Sequence, residues 1–193
     1  MLSKAARNFL SAYKPDEAYR PFTAKDRKRL GRRIPKVMRE ILERDGWASY
    51  NDQTIWSCDP DDWEEAARPW LPDDAKACDV LLRSSFGDLI AWDGDRFWLV
   101  MPHDQARIGQ TSDPDWLFSS TLRQDDFHFN DELPGETTAA REKCGPLKWN
   151  EMYNFAPALA LGGKRSDAEI AKEDARVALS LLSQMAPIQS VDA

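Results

Sequence analysis

The segment Phe86–Met101, FGDLIAWDGDRFWLVM, decides the fold. Asp93-Gly94 separates two apolar, aromatic-rich runs, Phe86–Trp92 and Arg96–Met101. A D-G dipeptide in that setting specifies a tight β-hairpin, because glycine accepts the positive φ such a turn requires. The two runs are expected to be central strands. Val80-Leu81-Leu82 leads into them, and a second hairpin is read at Trp47–Tyr50 and Thr54–Ser57 around an Asn51-Asp52 turn.

Helices are expected on both sides of these hairpins. Asp59-Pro60 and Asp113-Pro114 each join an N-cap carboxylate to a proline suited to the first helical position, which predicts helices over DPDDWEEAARPWL and from about 114 to 123. In the first of these, Asp61, Asp62, Glu64 and Glu65 complement the positive end of the helix dipole. Leu2, Ala6, Phe9, Leu10 and Tyr13 fall near helical spacing. Val37, Met38, Ile41 and Leu42 make an apolar stripe between Pro35, suited to a first helical position, and Gly46, placed as a C-cap. The segment PDEAYRPFTAKDRKRLGRR reads as irregular and then basic.

Further on, Pro134-Gly135 breaks the chain before a helix ETTAAREKCG that ends at Gly145. Glu151–Gly163, EMYNFAPALALGG, reads as a buried strand Ala158–Leu161 closed by a Gly162-Gly163 turn. Ser166 and Glu169 stand at capping-box spacing, and Ala178, Leu181, Leu182 and Met185 repeat with helical period. The last helix is therefore expected to follow Ser166 and cover that strand, with the tail after Pro187 frayed. Together these elements predict an α+β fold: an antiparallel hairpin-rich sheet flanked by helices over residues 1–110, and a smaller, mostly helical C-terminal subdomain over 111–193 packed closely on it.

The 193 residues, 42% hydrophobic with eight Trp and eight Phe, are ample for a core. No apolar run approaches the ~20 residues of a membrane helix. Charges in MLSKAARNFLSAYK interrupt the apolar centre that a signal peptide needs, so a cytoplasmic location is expected. Cys58, Cys78 and Cys144 are odd in number and far from histidines, which points to buried free thiols rather than disulfides or zinc. Gly162-Gly163-Lys164 lacks the spacing of a phosphate cradle. His103 beside Asp104 has no nucleophile context such as G-x-S-x-G and reads as a loop histidine. His128 in DDFHFND is a poor metal signal. No catalytic residue, cofactor or metal is assigned.

A formal charge of −7 conceals an asymmetry. Residues 1–50 carry 13 Lys and Arg against 6 Asp and Glu, residues 51–135 carry 6 against 19, and residues 136–193 carry 7 against 8. An acidic surface serves solubility, and it also attracts a basic partner and repels nucleic acid. The basic run Lys25, Arg27, Lys28, Arg29, Arg32 and Arg33 is interrupted by Asp26 and has no interleaved aromatics. It reads as a solvated helix face rather than a phosphate-binding one.

The run from Ile34-Pro35 through GWASY and TIWSCDPDDW to SSFGDLIAWDG resembles the GAD-like domain. EMYNFAPALALGG followed by DARVALSLLSQM resembles the C-terminal domain that accompanies it in cognate immunity proteins of type VI secretion DNase effectors. The two resemblances cover roughly residues 5 to 187, and the Y-x-F-x-P-A-L-A-L-G-G string is the specific one. Asn154 stands where the family form often has glycine, a replacement that left-handed backbone tolerates. The resemblance implies a cytoplasmic protein that binds a toxin nuclease, the product of an adjacent gene, and occludes its active or DNA-binding site. Asp61, Asp62, Glu65, Asp73 and Asp74 are the candidate contact residues, chosen because they are acidic, clustered and expected to be exposed. Two other classes stay open: an intracellular scaffold or regulatory binding module without a toxin partner, and a hydrolase using scattered carboxylates and His103.

Overall fold

The computed structural model describes residues 2–124, 129–130, 133–165 and 169–191. Among the described residues the strands are β1 (Pro15–Arg20), β2 (Trp47–Tyr50), β3 (Ile55–Ser57), β4 (Asp79–Ser84), β5 (Leu89–Trp92), β6 (Phe97–Met101), β7 (Ala106–Gly109), β8 (Glu151–Ala156), β9 (Glu169–Asp174) and β10 (Gln189–Val191). The helices are α1 (Lys4–Ala12), α2 (Ala24–Leu30), α3 (Lys36–Asp45), α4 (Pro60–Ala67), α5 (Pro114–Ser119), α6 (Leu133–Cys144) and α7 (Ala175–Leu182). The hairpin read from the sequence is β5–β6, with Trp92 opposite Phe97 and Gly94 at φ 94° in its turn.

That hairpin lies inside an eight-stranded sheet of order β1-β2-β3-β4-β5-β6-β7-β10, while β8 and β9 form a separate two-stranded sheet. Neighbouring strands of the large sheet run antiparallel except β7 and β10, which are parallel. Alternation along β5 and β6 divides the interior in two. Leu89, Ala91, Trp98 and Val100 point into one core with Trp63, Trp70, Met152 and Leu179. Ile90, Phe97 and Leu99 point into the other with Phe9, Ile41, Tyr50 and Phe118. Both faces of the central hairpin are therefore covered by helices, which accounts for its nearly uninterrupted apolar sequence.

Several expectations are corrected. Ala158–Leu161 is not a buried strand: the strand is β8, upstream, and Leu159–Leu161 is a 3-10 turn with no buried residue. Pro157 has no N–H to give to a ladder, and β8 ends at Ala156, opposite Glu169. Glu169 begins β9 rather than lying in a helix, and Ser166 lies outside the described residues. The last helix starts at Ala175, with the Asp174 carboxylate accepting from the Arg176 and Val177 amides. It buries Ala175, Ala178, Leu179 and Leu182, leaves Leu181 exposed, and packs beside α4 and Met152. Of the tail expected to be frayed, Gln189–Val191 instead pairs with Ala106–Ile108. Pro134 and Gly135 sit in the first turn of α6, where a proline lacks no intrahelical bond. The segment thought irregular contains β1, and Pro35 is the N-cap of α3 rather than its first residue.

Gly46 ends α3 and turns the chain into β2 at φ 71°, where an added Cβ would meet the Arg20 carbonyl oxygen at 2.7 Å. That oxygen belongs to the paired strand β1 and cannot move without breaking the pairing. Gly46→Ala is expected to cost about 2–3 kcal/mol of stability in urea unfolding, the sum of left-handed strain and a backbone clash. A change below about 0.5 kcal/mol would show that β1 is free to move away.

Candidate interaction surface

The basic run is not a solvated face throughout. Thr23 caps α2 in a capping box with Asp26, which turns Arg29 and then Arg33 toward α4. Arg29 meets Asp26 at 3.0 Å and Asp59 at 2.6 Å and also pairs with Asp61. Arg33 pairs with Asp61 and reaches Asp79 at 2.6 Å. Arg20, at the end of β1, joins Asp26 at 3.2 Å and Asp59 at 2.7 Å. The carboxylates of Asp26 and Asp59 are 6% and 8% exposed, so charges from opposite-signed parts of the chain neutralise one another away from solvent.

Burial raises the Asp26 carboxyl, but bonds from the Thr23 hydroxyl and amide and from Arg29 and Arg20 more than reverse this and hold it well below the usual range. Asp61 is lowered in the same way by Arg33 and Arg29. A lowered carboxyl contributes stability that is present above its unfolded pKa and lost as pH falls through the folded one. Burial dominates at Asp79 and raises it, which opposes the trend there. Urea unfolding from pH 6 to pH 2 should show stability falling below about pH 4, with a shallower fall in Asp26→Asn. An unchanged acid limb in that variant would remove Asp26 from the account.

The five acidic candidates separate into three places. Asp61 belongs to the arginine network. Asp73 and Asp74 are exposed in the loop between the Arg68–Trp70 turn and β4, and Asp74 lines a depression with Lys76, Asp93, Asp95 and Arg96. Asp62 and Glu65 stay together, exposed on the outer side of α4. They face a groove of about 430 Å³ between α4 and α7, opposite Arg176, Val177, Ser180 and Leu181. Burial and the nearby Asp59 carboxylate raise the Asp62 carboxyl above its ordinary value.

Asp62 also lines an adjoining depression with Tyr19, Lys25 and Trp149. Trp149 stacks on Tyr19 with ring centroids 5.7 Å apart and planes at 13°. The Arg176 guanidinium lies 5.7 Å from the Trp149 ring centroid, and the Trp149 carbonyl accepts from Arg83 at 2.8 Å. The apolar members of this surface, Trp149, Val177 and Leu181, were not read from the sequence. Their one local signal is α7 itself, whose sequence ARVALSLL is apolar beyond the single stripe it buries.

His103 is buried in the Pro102–Asp104 turn, with its ring 4.9 Å from Phe155 and 6.4 Å from Phe86. Burial pushes its pKa below the ordinary value, and Asp104 pairs with Arg165 at 3.8 Å. Cys58 and Cys78 are buried free thiols and Cys144 is half-buried. Among the described residues no group of three or more His, Cys, Asp or Glu is placed to hold a metal ion. His128 lies outside them. No helix among them is long and apolar enough to cross a membrane.

The large sheet with helices on both faces and an acidic, partly apolar groove between α4 and α7 define an α+β protein. A family model for the GAD-like domain matches residues 4–103, and one for the C-terminal domain of the T6SS immunity protein Tdi1 matches residues 117–186. The chain belongs to the GAD-like family and carries the C-terminal domain of type VI secretion immunity proteins. The crystal structure of Atu4351 from Agrobacterium tumefaciens superposes with a TM-score of 0.75 at 17% identity, covering 96% of this chain and 91% of that one. At that identity the likeness shows the shared fold. The chain matches none of the curated proteins.

Proposed function

We propose that this protein binds and neutralises a cognate type VI secretion toxin, a DNase, by occluding its active or DNA-binding site. It acts without catalysis of its own, in the cytoplasm, where such a toxin meets the cell's DNA. The observation that carries the reading is the pair of exposed carboxylates, Asp62 and Glu65, facing a groove with exposed apolar side chains in a chain with an immunity domain. A DNase must present positive charge to the phosphate backbone, so a negative surface competes for that charge and is steered toward it. Asp73 and Asp74 offer a second acidic contact in the loop before β4, apart from the groove, and Asp61 contributes by holding α4 in place. We place the boundary between the two family segments near residue 110.

The test is co-purification with the nuclease domain of the effector encoded beside it, scored by co-elution and by protection of plasmid DNA. Stoichiometric protection is expected. Failure to co-elute would favour the alternative reading, a scaffold or regulatory binding module with another partner.

A further inference from the structure

We propose that the groove lined by Val177 and Leu181 and rimmed by Asp62 and Glu65, together with Trp149 in the depression that adjoins it at Asp62, is the docking site for a basic segment of the toxin that also carries an aliphatic or aromatic side chain. This rests on the toxin-binding reading above and adds the location and chemistry of the contact. Val177 and Leu181 are spaced i, i+4 on α7 and are 58% and 52% exposed, while the opposite face of the same helix is buried. The packing of α7 does not account for them. A helix that is apolar on its solvent side as well as its core side is a helix with something further to cover.

Trp149 supplies the aromatic anchor. It is 36% exposed, yet it is held on Tyr19 and beside Arg176, so little conformational freedom remains to be lost on binding. Exposed tryptophans fixed in this way are the residues on which binding energy concentrates. The carboxylates decide the occupant. A lysine or arginine can lay its methylene stem along Val177 and Leu181 and bring its charge to Asp62 and Glu65, whereas an acidic segment would meet repulsion. A second copy of this chain would carry the same acidic rim against the first, which disfavours self-association through this face.

The experiment uses the full chain and the purified nuclease domain encoded by the adjacent gene. Val177→Asp with Leu181→Asp, both at exposed positions, should leave the urea midpoint near that of the parent and weaken Kd by about 100-fold or more. Asp62→Asn with Glu65→Gln should slow association about 10-fold at low salt, with the difference vanishing at high salt. Trp149→Phe should retain more affinity than Trp149→Ala, as a ring anchor requires.

Parent-like affinity in the folded aspartate variant would overturn the docking site while leaving the toxin-binding reading intact. A change in oligomeric state without a change in affinity would assign the face to a second copy and overturn it equally. Absence of binding by the parent chain would overturn both.

Discussion

Replacing Asp59 by alanine is expected to lower the unfolding free energy by about 3–4 kcal/mol, and replacing it by asparagine by about half as much. The reason is that one carboxylate performs two tasks. Its Oδ1 caps α4 by accepting from the Asp61 amide at 3.3 Å. Its two oxygens also take guanidinium bonds from Arg29 at 2.8 and 2.6 Å and from Arg20 at 2.7 Å. Loss of the cap alone costs about 1 kcal/mol. The rest arises because partly buried guanidiniums lose their counter-charge while remaining desolvated. Breaking a fully buried pair costs about 3–5 kcal/mol, and this figure is reduced here because Asp26 still holds both arginines. Asparagine keeps the cap oxygen and the shape and loses only the charge, so the two variants divide the effect. Urea unfolding of both at pH 7 is the measurement. A loss under 1 kcal/mol for alanine would mean that the network behaves as a set of surface ion pairs.

The network also explains why the acidic candidates resisted selection from sequence. A count of charges along the chain puts the basic residues in the first fifty positions and the acidic ones after them, as though two surfaces of opposite sign were exposed. Folding brings α2 against the start of α4, and Asp61, although still exposed, is taken up by Arg29 and Arg33 while Asp62, its neighbour, faces the groove beside α7. The sides taken by adjacent residues of a helix follow from which other element packs on it, and that is a long-range fact.

Three of the local signals are legible as they stand. The β5–β6 hairpin follows from Asp93-Gly94, and the starts of α4 and α5 follow from Asp-Pro pairs, because turns and caps are decided within a few residues. The strands β9 and β10 were not legible. Glu169–Asp174, EIAKED, has no buried residue and is a strand because Glu151 to Ala156 pair with it. Gln189–Val191 is a strand because β7 leaves an open edge more than eighty residues earlier in the chain. Ala158–Leu161 misled for the opposite reason. Its composition suits a buried strand, but the proline before it ends the ladder, so the string most specific to the family is half buried strand, through Phe155, and half outer turn.

The second large effect is expected at Arg83, where a difference between two variants matters more than either alone. Arg83 lies on β4 and is 0% exposed, with its guanidinium 4.9 Å from the Trp56 ring centroid and 5.2 Å from that of Trp63. It forms no ion pair among the described residues, and donates instead to the Ser84 carbonyl at 3.1 Å and the Trp149 carbonyl at 2.8 Å. Burial pushes its pKa down to about 10, so it stays protonated at pH 7 but at a penalty of about 3 kcal/mol relative to a free guanidinium. Because the folded pKa is lowered for a base, that penalty is fully present below about pH 10 and is relieved only as pH rises beyond it.

Arg83→Ala removes the fully buried side chain whose guanidinium lies beside two indoles and leaves a cavity, for an expected loss of about 3–5 kcal/mol. Arg83→Met keeps the volume and discards both the charge and its penalty, so the loss of two carbonyl bonds is largely offset and the net change should be about 1–2 kcal/mol. Equal losses in the two variants, measured by urea unfolding, would show that the guanidinium bonds outweigh the burial of its charge. The methionine variant has a further use, since it is expected to fold with the Trp149 carbonyl deprived of its donor. If that bond fixes the tryptophan at the surface, toxin affinity should fall in Arg83→Met by more than its modest loss of stability accounts for, and the loss should be smaller when Arg83→Met is introduced on a Trp149→Ala background.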